Sequence, residues 1–314
     1  MPELPDILLY QHALASRVAG RRVESVRVVS PFVLRTFDPP IDAVDGRTVA
    51  GVERVGKRIV FDLGDELFVV VHLMIAGRFR WSDKAGEKGP GKIGLASFLF
   101  DRGTLHLVES SQQKRAGIWV IRGRDALRAE DRGGIDVLAA TVEQFASQLR
   151  RENHTLKRSL TDPRLFDGIG NAYSDEILHA AKLSPVKLTA KLTDDEIARL
   201  HAATQSTLTR WIATLRDEFA AKFPGPGDVT AFRPDFAVHG KFGQPCPVCQ
   251  TAVQRIRYAD NETNYCPRCQ TDGKLLADRS LSMLLKKDWP RTVDELESRA
   301  ANAQSPGGSP ASPG

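Results

Sequence analysis

The sequence predicts an α+β chain of several domains, and three observations carry that reading. Short β-branched and aromatic runs separated by Gly, Asp and Pro fill the stretch from Arg22 to about Ile121. After Gly134 the patterning becomes helical. Four cysteines, the only ones in the chain, lie close together towards the C-terminus. Many short strands at such spacing indicate an all-β sandwich or barrel, and 314 residues leave room for two domains and a small third. The expected division is 1–130, 131–236, a cysteine unit at 237–272 and an extension over 273–314.

In chain order, residues 5–18 place Ile7, Leu8, Ala13, Leu14 and Val18 at mainly helical spacing, with Pro5 suited to a first turn. Strands are expected at 23–28, 58–63, 67–73, 96–100 and 105–108, with a Gly/Lys-rich loop over 84–94. Helices are expected at 142–151, 156–160, 173–181 and 193–223. The last is opened by Thr193 and Glu196 at capping-box spacing and stopped by Pro224-Gly225-Pro226-Gly227. Two further helices are expected over 275–287 and 293–303, and the low-complexity end, 305–314, is expected to be disordered.

Composition bounds the function. Apolar and charged fractions of 41% and 26% are those of a globular protein, and no run approaches the roughly 20 apolar residues of a membrane span. The acidic, proline-bearing start is unlike a signal peptide, so a cytoplasmic protein with no membrane partner is expected. The net charge of +5 and pI of about 9.1 suit a polyanionic partner or an ordinary solvated surface.

Four features carry chemistry. If Met1 is removed, the chain begins with the secondary amine of Pro2 beside the carboxylate of Glu3. A terminal amine titrates near ~8 against ~10.4 for lysine, so more of it is neutral and nucleophilic at pH 7. Cys246-Pro-Val-Cys249 and, after sixteen intervening residues, Cys266-Pro-Arg-Cys269 have zinc-ribbon spacing. One closed structural Zn2+ is expected there, two redox pairs being the alternative. Arg255 and Arg257, between the pairs, could meet phosphate or solvent. Gly168-Ile169-Gly170-Asn171 enters a helix and offers free N–H groups to an anion, with Lys157 placed to pair with the same phosphate; a tight interhelical turn is the alternative. Lys57 opens an apolar strand, where a lysine matters only if an anion lies over it. The loops 72–78 and 112–117 follow strands and carry basic residues, with core packing plus a turn as the alternative for either.

Together and in this order, the pieces resemble the formamidopyrimidine-DNA glycosylase and endonuclease VIII family. Pro2-Glu3-Leu4-Pro5-Asp6 matches its P-E-L-P-E opening except at Asp6, and 168–173 repeats its G-[VI]-G-N-x-Y phrase. Val238-His239-Gly240-Lys241 echoes the V-x-G-[RK] phrase before its cysteine finger. The resemblance implies an N-terminal β-sandwich with an N-terminal helix, a central helix–two-turn–helix domain and a C-terminal zinc finger. It implies a bifunctional DNA glycosylase/AP lyase of base-excision repair, acting as a monomer on double-stranded DNA with damaged bases or abasic sites. Pro2 would attack C1′, Glu3 would handle protons, and elimination would cut the strand. Lys57, Asn171 and Lys157 would hold phosphates around a base flipped from the stack. Glu176 falls at a family position near the site.

Several positions depart from the family. H-L-G-M-S-G becomes H-L-M-I-A-G, placing Ile75 where a methionine fills the gap left by the flipped base. D-P-R-R-F-G becomes Gln112-Gln113-Lys114-Arg115-Ala116-Gly117, so Lys114 and Arg115 remain basic but the aromatic wedge position is Ala116. Asn261 stands where the finger's phosphate-binding Arg is expected, leaving Arg255 or Arg257 to supply the cation. Oxidised purines, oxidised pyrimidines and bare abasic sites all stay open as substrates. A non-catalytic binder of damaged DNA would need neither Pro2 nor Glu3, and a small-molecule enzyme with an N-terminal proline would leave the finger unexplained.

Overall fold

A computed structural model describes residues 1–258, 261–277 and 290–304. The helix expected over 275–287, with Leu281, Leu284 and Leu285, lies largely outside the described residues, and the low-complexity end at 305–314 lies wholly outside them.

Helix α1 (Leu4–Val18) opens the chain and buries Ile7, Tyr10, Leu14 and Val18. Eight strands follow: β1 (Val23–Val28), β2 (Gly51–Val55), β3 (Arg58–Asp62), β4 (Leu67–His72), β5 (Gly77–Ser82), β6 (Gly94–Phe100), β7 (Gly103–Glu109) and β8 (Gly117–Arg122). They form two four-stranded antiparallel sheets, ordered β1-β6-β7-β5 and β2-β3-β4-β8. This is the sandwich alternative of the sequence reading.

The inner faces supply Phe61, Val69, Phe79, Phe98 and Leu107 to one core, which α1 closes at the side. Tyr10 and Phe79 meet edge to face at 5.3 Å, and the Tyr10 hydroxyl accepts the Phe79 N–H at 3.3 Å. The outer face of β3 and β4 is covered too: Val60, Phe68 and Val70 pack with Leu127 of a short helix, α2 (Arg124–Arg128). Burial on both faces explains why these strands read as unbroken apolar runs.

The helical unit comprises α3 (Val142–Arg150), α4 (Leu156–Thr161), α5 (Asn171–Ala180) and α6 (Asp194–Glu218). The Thr193–Glu196 capping box forms as expected, although α6 ends five residues short of Phe223. A second core gathers Phe145, Leu160, Phe166, Tyr173, Ile177, Leu200 and Trp211, and includes Leu4 of α1. The first turn of α1 therefore belongs to the helical unit and the rest of the helix to the sandwich. The finger is a β9 (Gln254–Tyr258)/β10 (Asn261–Tyr265) hairpin followed by α7 (Pro267–Thr271). The extension returns through a Lys274–Thr292 bridge to α8 (Val293–Gln304), with Val293 buried.

Register places four connecting segments at one end of the sandwich. The pairs Arg58–His72 and His72–Gly117 align the β2–β3 turn, the start of loop 73–76 and the end of loop 110–116. Gly77 pairs with Glu109 on the other sheet, so both loops bridge the sheets side by side. Segment 29–33 leaves β1 at the same end, where Val29 and Ser30 donate to the Leu95 carbonyl. This rim carries Lys57.

Phe79 is the ring shared by α1 and both sheets, with Tyr10 on one side and Phe61 at 6.4 Å on the other. Phe79→Ala is expected to destabilise the sandwich by about 3–5 kcal/mol, read as a lowered midpoint in denaturant. A loss under about 1 kcal/mol would show that the ring is not the shared support of helix and sheets.

Candidate active site

The site begins with Glu3. Its side chain is 3% exposed and meets the first turn of α5: the N–H groups of Gly170, Ala172 and Tyr173 donate to its carboxylate at 2.6, 2.8 and 3.2 Å. These are the free donors expected of the Gly-x-Gly turn, and the anion they hold here is a carboxylate of the same chain. A helix start leaves N–H groups unpaired and carries partial positive charge, so the buried carboxylate is stabilised where it lies. The fit requires glycine: a Cβ on Gly170 would sit 2.5 Å from the Glu3 carboxyl carbon, and one on Gly168, at φ +81°, would sit 2.7 Å from Leu4 Cβ. The Leu4 N–H donates to the Gly168 carbonyl at 2.9 Å, so the chain start is fixed by backbone as well.

Two amines face this carboxylate. The terminal amine, carried by Met1 in the chain as translated, is pulled below its ordinary value by burial, against Glu3 and with help from the positive charge of Arg78. Pro2, the next residue, is buried. Lys57 lies in the β2–β3 turn and donates from Nζ to the Ile169 carbonyl at 2.6 Å. Burial also pulls its ammonium below the ordinary lysine value, opposed by Glu3 and then Asp167. The turn is clamped by Arg54, which pairs with Asp167 and donates to the Gly56 carbonyl at 3.1 Å. Nearby His72 is pushed down to about 4 by burial and the charges of Arg58 and Lys57, so its imidazole is neutral at pH 7.

Asp6 uses both carboxylate oxygens: Oδ2 accepts the Glu3 N–H at 2.9 Å, and Oδ1 accepts from the buried Arg233. Arg233 comes from the segment between α6 and the finger, so that segment is tied to the residue after Pro2.

The other residues singled out in the sequence are dispersed. Lys157 is already engaged, donating to the Asn171 carbonyl at 2.5 Å and to Asp175 at 2.6 Å. The Asn171 amide reaches the finger, donating to the Glu262 carbonyl at 3.0 Å. Arg255 and Arg257 both meet the Glu262 carboxylate, at 3.3 and 3.2 Å, and Arg255 lies over the Phe242 ring at 4.1 Å. Asn261 starts β10 opposite Tyr258; its side chain, with Ala259 and Asp260, lies outside the described residues.

On the rim, Ile75 is 55% exposed, while Met74 before it has φ +52° and turns its sulfur towards His72. That glycine-favoring conformation occurs where the family phrase has Gly. Ala116 is buried, 2% exposed, and faces Gly77, where a Cβ would lie 2.9 Å away. The wedge position of the sequence reading is therefore a core position in this chain. Loop 110–116 is held by buried Glu109, whose carboxylate accepts the N–H groups of Arg115 and Ala116 at 2.8 and 3.0 Å and whose carbonyl accepts from Lys114. Arg115 itself is exposed.

The four cysteine sulfurs lie within 4.8 Å of one another, with Cys249–Cys266 at 3.3 Å and Cys246–Cys269 at 3.9 Å. Tetrahedral Zn–S bonds of about 2.3 Å require sulfurs roughly 3.8 Å apart. The donor set thus fits a structural Zn2+, which would cross-link the two turns. His179 of α5 comes within 3.3 Å of Cys246 Sγ. Asp175 and Glu176 also join α5 to this unit. Asp175 accepts from His239 and the Asn264 N–H, at 2.7 and 3.1 Å. Glu176 accepts three N–H groups, those of Ala237, Val238 and His239, at 2.7, 2.9 and 2.9 Å.

Comparison with known proteins finds the same sequence of units. The formamidopyrimidine-DNA glycosylase N-terminal domain model matches residues 1–116, the H2TH domain model of the same enzymes matches 136–220, and a zinc finger found in FPG and IleRS matches 243–271. The formamidopyrimidine-DNA glycosylase of Laribacter hongkongensis is 34% identical over 281 residues, spanning 86% of this chain and all of the relative. That of Exiguobacterium sibiricum is 31% identical over 283 residues, spanning 86% and 99%. A Lactococcus lactis FPG mutant in complex with Fapy-dG-containing DNA has a TM-score of 0.76 at 26% identity, covering 86% of this chain and all of that one. The complex between Lactococcus lactis Fpg and abasic-site DNA gives 0.75 at 26%, covering 86% and 99%. A sandwich, a helix–two-turn–helix unit and a thiolate finger in this order define the architecture of a DNA-repair glycosylase. The chain belongs to the formamidopyrimidine-DNA glycosylase family.

Glu109, the Arg54–Asp167 pair and the Asp6–Arg233 pair escaped the sequence reading. Each joins residues far apart in the chain or caps an irregular loop, and neither leaves a periodic trace. Only Asp6, an acidic first-turn residue, carried a local signal.

Glu176→Ala strips partners from three backbone N–H groups, each costing about 1–3 kcal/mol when left unpaired. Hydrogen exchange at 237–239 should quicken by at least tenfold while one zinc stays bound. Unchanged exchange there would show that the finger's entry is held by other contacts.

Proposed function

We propose that Pro2, exposed as the chain terminus by removal of Met1, is the nucleophile of a bifunctional DNA glycosylase/AP lyase, and that Glu3 is its proton-handling partner. The supporting observation is the Glu3 carboxylate fixed in the start of α5, immediately after the buried Pro2. A chain-terminal amine titrates near ~8, against ~10.4 for lysine, so more of it is neutral, the form that attacks carbon. The nitrogen would bond to C1′ as the damaged base leaves. Ring opening then gives an iminium, and loss of the 3′ and 5′ phosphates by successive elimination cuts the strand.

In this reading Lys57 and Asn171 hold lesion-strand phosphates, and Ile75 occupies the space vacated by the flipped base. Lys114, Arg115, Asn261, Arg255 and Arg257 are further DNA contacts. Among the described residues, the side-chain nitrogens of Lys57 and Asn171 donate to carbonyls, contacts that phosphate oxygens can replace. Lys157 has a buried carboxylate partner in Asp175, so it is proposed to act by orienting Asn171. The division proposed is 1–130 for the catalytic sandwich, 131–236 for the helical unit, 237–272 for the finger and 273–314 for the extension. Double-stranded DNA with oxidised bases or abasic sites is the proposed substrate, and the enzyme is proposed to work as a cytoplasmic monomer. Among the described residues no helix is long and apolar enough to cross a membrane.

Borohydride reduction on an abasic-site duplex tests the assignment. The wild-type chain should be trapped covalently, and Pro2→Gly, or a chain with a residue added before Pro2, should lose at least tenfold in adduct. Trapping at full strength in both variants would overturn the role of Pro2.

A further inference from the structure

We infer that Phe32 is a DNA-contact residue on this rim, offering an aromatic face to the strand opposite the lesion. The inference rests on the DNA-glycosylase reading above. Phe32 is 83% exposed, and its position is set by neighbours rather than by a loose loop. Pro31–Val33 form a 3-10 turn in which Val33 is buried in the main core. Leu34 then bridges Ile118 in parallel, the Arg35 N–H donates to the Ile118 carbonyl at 2.8 Å, and Thr36 exchanges hydrogen bonds with Val120. The segment is an added edge beside β8, so Phe32 projects from a fixed base.

Topology brings this ring to the rim that carries the site. Moving across one sheet from β3 to β4, β8 and the added edge, the rim presents the Lys57 turn, loop 73–76, loop 110–116 and then Phe32. Three interstrand steps of about 4.8 Å place Phe32 some 14 Å from the Lys57 side. Groove widths of about 6–12 Å separate the two strands of a duplex. With one strand held at Lys57, the other falls at the Phe32 end, and exposed Ile75 stands between them.

Charge agrees with that placement. Arg35 and Arg115 are both exposed, and the Arg35 guanidinium donates to the Arg115 carbonyl at 3.2 Å, which links Phe32's segment to loop 110–116. An aromatic face flanked by cations suits a nucleic-acid strand, because every base has a π-face and every link a phosphate. Ala116 is buried, so loop 110–116 offers no ring of its own here. Phe37, equally exposed, is an internal control: Thr36 already lies against Val120, so Phe37 sits down the strand, away from the rim.

The test uses the full-length chain and a duplex carrying a tetrahydrofuran abasic analogue opposite 2-aminopurine. Phe32→Ala should weaken duplex binding about tenfold and remove part of the protein-induced 2-aminopurine fluorescence change; Phe32→Trp should restore both, and Phe37→Ala should match wild type. Borohydride trapping on a single-stranded abasic oligonucleotide should be equal in wild type and Phe32→Ala. Its failure in wild type would defeat the glycosylase/lyase reading itself. Trapping with wild-type duplex affinity and fluorescence in Phe32→Ala would overturn the role of Phe32 alone. A concentration-dependent dimer in wild type that Phe32→Ala abolishes would assign the ring to a second copy of the chain and overturn the inference as well.

Discussion

The carboxylate of Glu3 in the first turn of α5 is the interaction on which the arrangement of the site depends. It brings residue 3 against residues 170–173 and so joins the beginning of the sandwich to the helical unit. Burying an anion costs several kcal/mol unless donors replace its water. Three backbone N–H groups and the helix dipole supply that replacement at a geometry the backbone cannot easily leave. The Pro2 nitrogen, one residue before Glu3, shares this fixity. The local sequence is correspondingly constrained, since Gly168 and Gly170 leave no room for a Cβ against Leu4 and Glu3.

Helix α5 then carries position from Glu3 to the finger. Its start holds Glu3, Asn171 reaches the finger hairpin, and Asp175, Glu176 and His179 hold the finger's entry and a cysteine. Ten residues at 1.5 Å each make a strut of about 15 Å. The chain start and the finger are thus joined by one rigid element. The Asp6–Arg233 pair adds a second tie, from the first turn of α1 to the segment leading into the finger. Burial pushes the Asp6 carboxyl up against the pull of Arg233, so the tie depends on Arg233 staying in place.

Much of this was legible in the sequence wherever a feature is local. Cysteine spacing, the Thr193 cap and the alternation of strand runs each record a contact made within a few residues. The Gly-x-Gly turn was legible as an anion site, but the anion was expected to be a phosphate and is Glu3. Nothing local in either segment records a pairing across 167 residues of chain. Lys157 illustrates the same limit: its spacing suggested a phosphate, while its partner Asp175 is buried eighteen residues on. Ala116 stands where the family phrase has its aromatic wedge, with core packing as the alternative for its loop, and the tertiary contact with Gly77 decides for the core position.

Two amines lie by the Glu3 carboxylate: the chain terminus, which Pro2 would carry once Met1 is removed, and Lys57, whose pKa burial lowers. The central claim is that only the first forms the covalent bond. Peptide mapping of the reduced protein–DNA adduct by mass spectrometry addresses it most directly. The account predicts the sugar remnant on the nitrogen of Pro2, in an N-terminal peptide that lacks Met1. A remnant on the peptide containing Lys57, or an adduct on a chain that retains Met1, would contradict it.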